Sequence, residues 1–160
     1  MSSENKPSMP QTMGITVAVP PMSFDLAKDI CRKAFGFRLF TILLNDSKAG
    51  EIMRLYSSNE ADYPPGGRKP MGPTPWGDIV LKRGICWLGD GEEEIRWAFP
   101  DADRILSLGC HSCACAPIIH EQQVVGVLSL SDDKGHYSAD DLAGIAAIAR
   151  LLAPLVLLAD

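Results

Sequence analysis

The sequence predicts an α+β domain built on a mostly antiparallel sheet. Strand-like runs come in pairs, 37–45 with 50–57 and 112–119 with 122–132, each pair joined by a very short connection. Connections that short join antiparallel neighbours, whereas a parallel pair needs a crossover of about a dozen residues or more. Helical periodicity gathers at the two ends of the chain, and helices segregated from hairpins argue for a layered α+β fold.

The elements follow in order. Residues 1–22, polar and punctuated by proline, read as a flexible N-terminal arm before one domain spanning 23–160. Ala27, Ile30, Cys31 and Ala34 recur at helical spacing, with Ser23 placed to cap and Gly36 to stop the helix. The run 37–45, the turn 46–49 and the run 50–57 make a hairpin. Residues 58–73 hold too much proline and glycine for regular structure. Thr74 caps a short helix with Pro75 at its first position. A short strand at 85–88 precedes two short helices at 91–99 and 101–109, the first with Glu92, Glu93 and Glu94 where the helix dipole favours anions. The second hairpin turns around His120 and Glu121, and Ser138 caps one terminal helix over 139–159.

Composition narrows the function classes. The chain has 160 residues, 46% of them apolar and 22% charged, enough to bury a core without disulfides or metal. A formal charge of −5 and the lack of any basic stripe exclude a nucleic-acid surface. The start lacks a secretory signal pattern. The longest apolar stretch, 143–159, contains Arg150 and Pro154 and falls short of the ~20 residues a membrane span needs. Five cysteines, an odd number, read as reduced thiols, and the expected location is cytoplasmic.

The densest chemistry is "GCHSCACAPIIH", residues 109–120. Alternation along a strand sends His111, Cys113 and Cys115 to one face and Cys110, Ser112 and Ala114 to the other. Same-face neighbours lie ~6.5–7 Å apart, beyond the ~3.5–4.5 Å that a disulfide requires between Cβ atoms. A zinc site needs a second ligand pair at comparable spacing, and the sequence has none, so no metal is expected. The segment reads as a packed strand with incidental thiols, as a redox centre or as a metal site, and strand geometry favours the first. The "PPGGRKP" stretch, 64–70, reads as a solvent loop or as an anion cradle of backbone N–H groups. It lacks the spacing of a phosphate-binding loop. No Ser-His-Asp set, paired-carboxylate site or metal-hydrolase helix is present, so no catalytic residue is expected.

The order and spacing of these segments resemble the GAF domain family from about residue 23 to the C-terminus. The signature region matches at Gly109, Ser112, Pro117, Ile118, Gly126 and Leu128. The resemblance implies a central antiparallel, profilin-like sheet with a ligand cavity on one face and terminal helices on the other, often pairing subunits. It implies a sensory or regulatory module that binds a small organic ligand and signals through its terminal helices to a partner. The candidate pocket residues are Tyr56, Trp76, Trp87, Phe99, His111, Cys113, Cys115 and Ser129. The expected cavity lies between the sheet and the segment 56–106.

The resemblance extends to enzymes like free methionine-R-sulfoxide reductase, and a thiol enzyme or cysteine-based redox sensor is the alternative reading. Counting back from Pro117 to where those enzymes carry their reactive cysteine lands on Leu106. The terminal helix is apolar on two stripes, one through Leu142, Ile145, Ala149 and Leu152, the other through Ile148, Leu151, Leu155 and Leu158. One sheet can cover only one of them, which predicts a homodimer through the terminal helices.

Overall fold

A computed structural model of the chain describes residues 5–9, 14 and 21–159, so the expected arm over 1–22 lies largely outside the described residues. Six antiparallel strands form one sheet: β1 (Leu39–Asp46), β2 (Glu51–Ser57), β3 (Arg68–Pro70), β4 (Trp87–Asp90), β5 (Ser112–His120) and β6 (Gln123–Asp132). Their order across the sheet is β3-β2-β1-β6-β5-β4. The two predicted hairpins therefore lie side by side, joined where β1 pairs with β6. Strand β3 sits inside the expected loop, because extended Arg68, Lys69 and Pro70 pair with Met53, Ile52 and Glu51 at the sheet edge. An edge strand tolerates proline.

Helix α1 (Phe24–Ala34) begins at Ser23, whose hydroxyl accepts from Leu26 N at 3.0 Å, and ends at Gly36 with φ 72°. Helices α2 (Pro75–Gly77), α3 (Glu92–Ala98) and α4 (Ala102–Ser107) are short, and α2 runs on as a π-helical turn over Asp78–Lys82 rather than as the expected α-helix. The terminal helix is broken in two, α5 (Ala139–Arg150) and α6 (Ala153–Leu158). Pro154 explains the break: it has no N–H, and its ring clashes with the carbonyl four residues back, at Arg150. Ser138 and Asp141 form the reciprocal cap of α5.

The sheet separates two cores. On one face Phe40, Ile42, Ala114, Ala116, Leu128 and Leu130 pack against Ala27 and Cys31 of α1, Ile145 and Ala149 of α5, and Val156 of α6. On the other face Leu39, Leu43, Cys113, Cys115 and Val127 pack against Tyr63, Met71, Trp76, Val80, Ile95, Phe99 and Ile105. The second layer is the covering segment 59–108, made of loops and the short helices. No helix among the described residues is long and apolar enough to cross a membrane.

Candidate functional site

The floor of the site is a two-row strip crossing four strands, with small side chains at its centre and Leu39 and Trp87 at its ends. Thr41 of β1 stands opposite Ser129 of β6, which stands opposite Cys115 of β5, which stands opposite Trp87 of β4. The next row runs from Leu39 through Ser131 and Cys113 to Gly89. Small side chains leave height above the sheet, and the covering segment fills it with aromatic rings. Trp76 is fully buried with its ring centre 5.4 Å from that of Phe99, and Phe99 packs edge-on against Trp87. Trp87 in turn stacks on half-exposed Trp97 at the sheet edge.

The roof also carries charge. Lys69 Nζ donates to Asp101 Oδ1 and to Tyr63 Oη, both at 2.8 Å, and Tyr63 Oη donates to Asp101 Oδ2 at 2.6 Å. Asp101 stands at the N-cap of α4 yet makes no side-chain cap bond, because its carboxylate is committed to this triangle. Burial pushes its pKa up, but the Lys69 charge and the hydrogen bonds from Lys69 and Tyr63 outweigh that and hold it below the usual carboxylate range. Buried Arg54 lies against the Tyr63 ring, 3.4 Å from its centre, and donates Nε–H to Pro64 O at 2.8 Å. Trp76 Nε1 is buried with no hydrogen-bond partner among the described residues.

The thiols depart from expectation in two ways. All five cysteines are free, but Cys113 Sγ and Cys115 Sγ lean towards each other to 3.5 Å and share Ser129 Oγ, at 3.2 and 3.6 Å. Cys110 does not face away from them. It joins the same core because residues 110 and 111 precede the strand, so alternation does not yet apply to them. Hydrogen bonding with Cys115, joined by that with Ser129, lowers the pKa of the Cys113 thiol despite burial. Burial and the neighbouring Cys113 push Cys115 up, and burial pushes Cys110 up to about 12.

The space left between floor and roof is about 20 Å³, bounded by Thr41, Tyr63, Lys69, Phe99, Cys113 and Ser129 among others. That is room for about one water molecule. Of the expected pocket residues, Phe99, Cys113 and Ser129 line this space. Trp76, Trp87 and Cys115 belong to the core around it. Half-buried His111 sits in the turn before β5, where its backbone pairs with Gly91 and Asp132 and its ring makes no hydrogen bond among the described residues.

Tyr56 is on the wrong face for this site: it packs against Phe24 and Phe40 under α1 and donates to Asp25. The cause is a bulge. Arg54 is opposite Leu43 while Tyr56 is opposite Ile42, so Leu55 is an extra residue that turns Tyr56 to the helical side.

Sequence reasoning missed Thr41, Tyr63, Lys69, Asp101 and Ser131. Lys69 belonged to a segment read as solvent loop, and only its pairing with Ile52, a residue of the outer core, directs it inwards. The larger opening lies elsewhere. A cleft of about 610 Å³ opens where the two hairpins splay beyond Leu44 and Gly126, bordered by Asn45, Thr74, Asp78, Val124 and Val156, and no expected pocket residue lines it.

Residues 24–156 of the chain match the GAF domain family. No curated protein matches it. Among solved structures, the chain is similar to the GAF domain of a two-component sensor histidine kinase from Bacillus halodurans, at 19% identity and a TM-score of 0.69, covering 86% of this chain and 96% of that one. It is similar to the GAF domain/HD domain protein from Geobacter sulfurreducens, at 14% identity and a TM-score of 0.67, covering 83% and 89%. Free methionine-R-sulfoxide reductase from Neisseria meningitidis matches at 18% identity and a TM-score of 0.61, covering 83% and 74%. At these identities the likeness is one of fold alone.

Proposed function

The chain belongs to the GAF domain family, and from that premise we propose that it is a regulatory module rather than an enzyme, binding a small organic ligand under the covering segment 59–108 and signalling through its terminal helices to a partner. The observation that carries this reading is the polar cluster of Lys69, Tyr63 and Asp101, roofing a strip of Ser, Thr and Cys side chains inside a core. A core built only for stability favours apolar groups there, because each polar group it buries has to be desolvated. The buried indole N–H of Trp76, directed towards the Cys115 sulfur without a well-formed hydrogen bond, adds a donor that a ligand oxygen can take up.

A ligand larger than water displaces the roof, which is held by short helices and by the Lys69–Asp101 and Arg54–Tyr63 contacts rather than by long secondary structure. The same sheet carries the terminal helices on its far side, so a change in sheet shape reaches them directly. The half of the terminal helices that the sheet leaves bare, with Leu151 at 56% and Leu158 at 83% exposure, suits pairing with a second copy.

The test is native mass spectrometry and thermal shift of the protein against a panel of amino acids, carboxylic acids and nucleotides. The expected result is a bound species that raises the melting temperature, with the shift lost in Trp76→Phe and kept in Asp78→Asn/Lys82→Gln at the open cleft. The reverse pattern would move the ligand to the cleft, and no bound species at all would defeat the reading.

A further inference from the structure

We propose that Cys113 and Cys115 form a peroxide-reactive dithiol, with Cys113 as the attacking sulfur and Cys115 as the resolving one. The inference rests on the thiol geometry and shares only its place with the ligand reading. Three observations meet there. The two sulfurs are 3.5 Å apart. Ser129 Oγ is within hydrogen-bond reach of both. A gap of about one water molecule touches Cys113, Ser129, Ser131 and Lys69, and Cys113 is only 1% exposed. A small hydroperoxide therefore reaches this sulfur, which hydroxyl donors and a cation surround, when the covering segment opens as it must for a ligand.

The chemistry closes on itself. The Cys113 sulfur attacks one oxygen of a hydroperoxide; an S–O bond forms, the O–O bond breaks, and water or an alcohol leaves with the thiol proton. Cys115 Sγ then attacks the sulfenic acid on Cys113; the S–S bond forms, the S–O bond breaks, and a second water leaves with the Cys115 proton. Two thiols have lost two electrons and the peroxide has gained them. The lowered pKa of Cys113 fits the attacking role, and the part of the Cys115 rise that the Cys113 charge causes ends once Cys113 is a sulfenic acid.

The bridge is demanding, and that is its use. A disulfide holds its sulfurs ~2.05 Å apart and its Cβ atoms within ~4.5 Å, whereas same-face neighbours on a flat strand are ~6.5–7 Å apart. Closing it buckles β5 at Ala114, the residue between the two cysteines. Ala114 is fully buried on the opposite face, in the core that α1, α5 and α6 share. Oxidation on one face is thereby felt by the helices on the other. A strained bridge is also readily reduced, as a reversible switch requires.

The experiment treats reduced, ligand-free protein with hydrogen peroxide, counts thiols after denaturation, and locates the modification by tandem mass spectrometry. Expected are the loss of two of the five thiols, a bridge between Cys113 and Cys115, and full recovery with glutathione. In Cys115→Ser the expected product is a dimedone adduct on Cys113. A bridge from Cys113 to Cys110, a bridge between molecules, or oxidation of partly buried Cys86 with Cys113 untouched would overturn the proposal. The wild-type mapping decides the matter even if the variant fails to fold. No ligand is used, so failure here leaves the binding reading standing, and the loss of the Trp76-dependent shift leaves this one standing.

Discussion

Lys69 Nζ lies 2.8 Å from Asp101 Oδ1, an ion pair that ties the edge strand β3 to the N-terminus of α4 across the roof of the site. The Lys69 side chain is 11% exposed and that of Asp101 28%, so the pair is only partly screened by solvent. The Asp101 pKa is held down in the folded state. Such a group contributes stability above its unfolded value of about 3.9 and loses it as the pH falls through the folded value.

Lys69→Met leaves the Asp101 charge unpaired and is expected to cost about 1–3 kcal/mol at neutral pH. With its cation gone, burial raises the Asp101 pKa, so protonation relieves the penalty and the deficit against wild type shrinks on acidification. Urea unfolding at neutral pH and near pH 5 measures this. An equal deficit at both would show that Asp101 does not depend on Lys69.

Gly126→Ala is expected to destabilise by about 1–3 kcal/mol or more, because its Cβ would stand 2.4 Å from Leu43 O, a backbone atom of β1 with little freedom to retreat. This is where β1 and β6 begin to separate at the mouth of the open cleft. Chemical denaturation checks it, and a cost within the ~0.5 kcal/mol of an ordinary surface change would show that the strands adjust freely.

Glu121 and Gln122 turn the β5–β6 hairpin with φ of 48° and 65°. Left-handed backbone costs a residue with a side chain roughly 1–2 kcal/mol, and Asn-Gly is the pair that suits two positive φ values in a hairpin. Glu121→Asn/Gln122→Gly is therefore expected to raise the melting temperature. An unchanged or lower value would mean that the strain is absent in solution.

For the helical layer, the expected outcome is a dimer in light scattering at micromolar concentration and a monomer for Leu151→Glu/Leu158→Glu. Both leucines are exposed in the single subunit, so the substitutions leave its core intact. A wild-type monomer would remove the helices as the pairing surface.

Much of the fold was readable from local pattern. Ser23, Gly36 and Ser138 mark helix ends because capping involves only neighbours in the chain. Cys113 and Cys115 share a face because the strand period is two, and the structure puts both away from the terminal helices. Pro154 stands inside the apolar run, yet the periodicity continues through it, so the break into α5 and α6 is not visible from the pattern alone. The site was less legible. Phe99, Cys113 and Ser129 were found from the strand pattern and the family resemblance, whereas Lys69 and Asp101 sat in segments with no periodicity to orient them.

The sequence by itself determined the hairpins, the antiparallel pairing, the segregated helices and the parity of β5, since each follows from turn length and the alternation of side chains along one strand. Tertiary structure decided which face Tyr56 occupies, that Lys69 points inwards, and that the sulfurs of Cys113 and Cys115 approach to 3.5 Å. A bulge at Leu55, the register of β3 on β2 and the tilt of two thiols towards one serine on the next strand are properties of pairs of segments. No one segment encodes them, because each is fixed only when the backbone of its partner limits where a side chain can go.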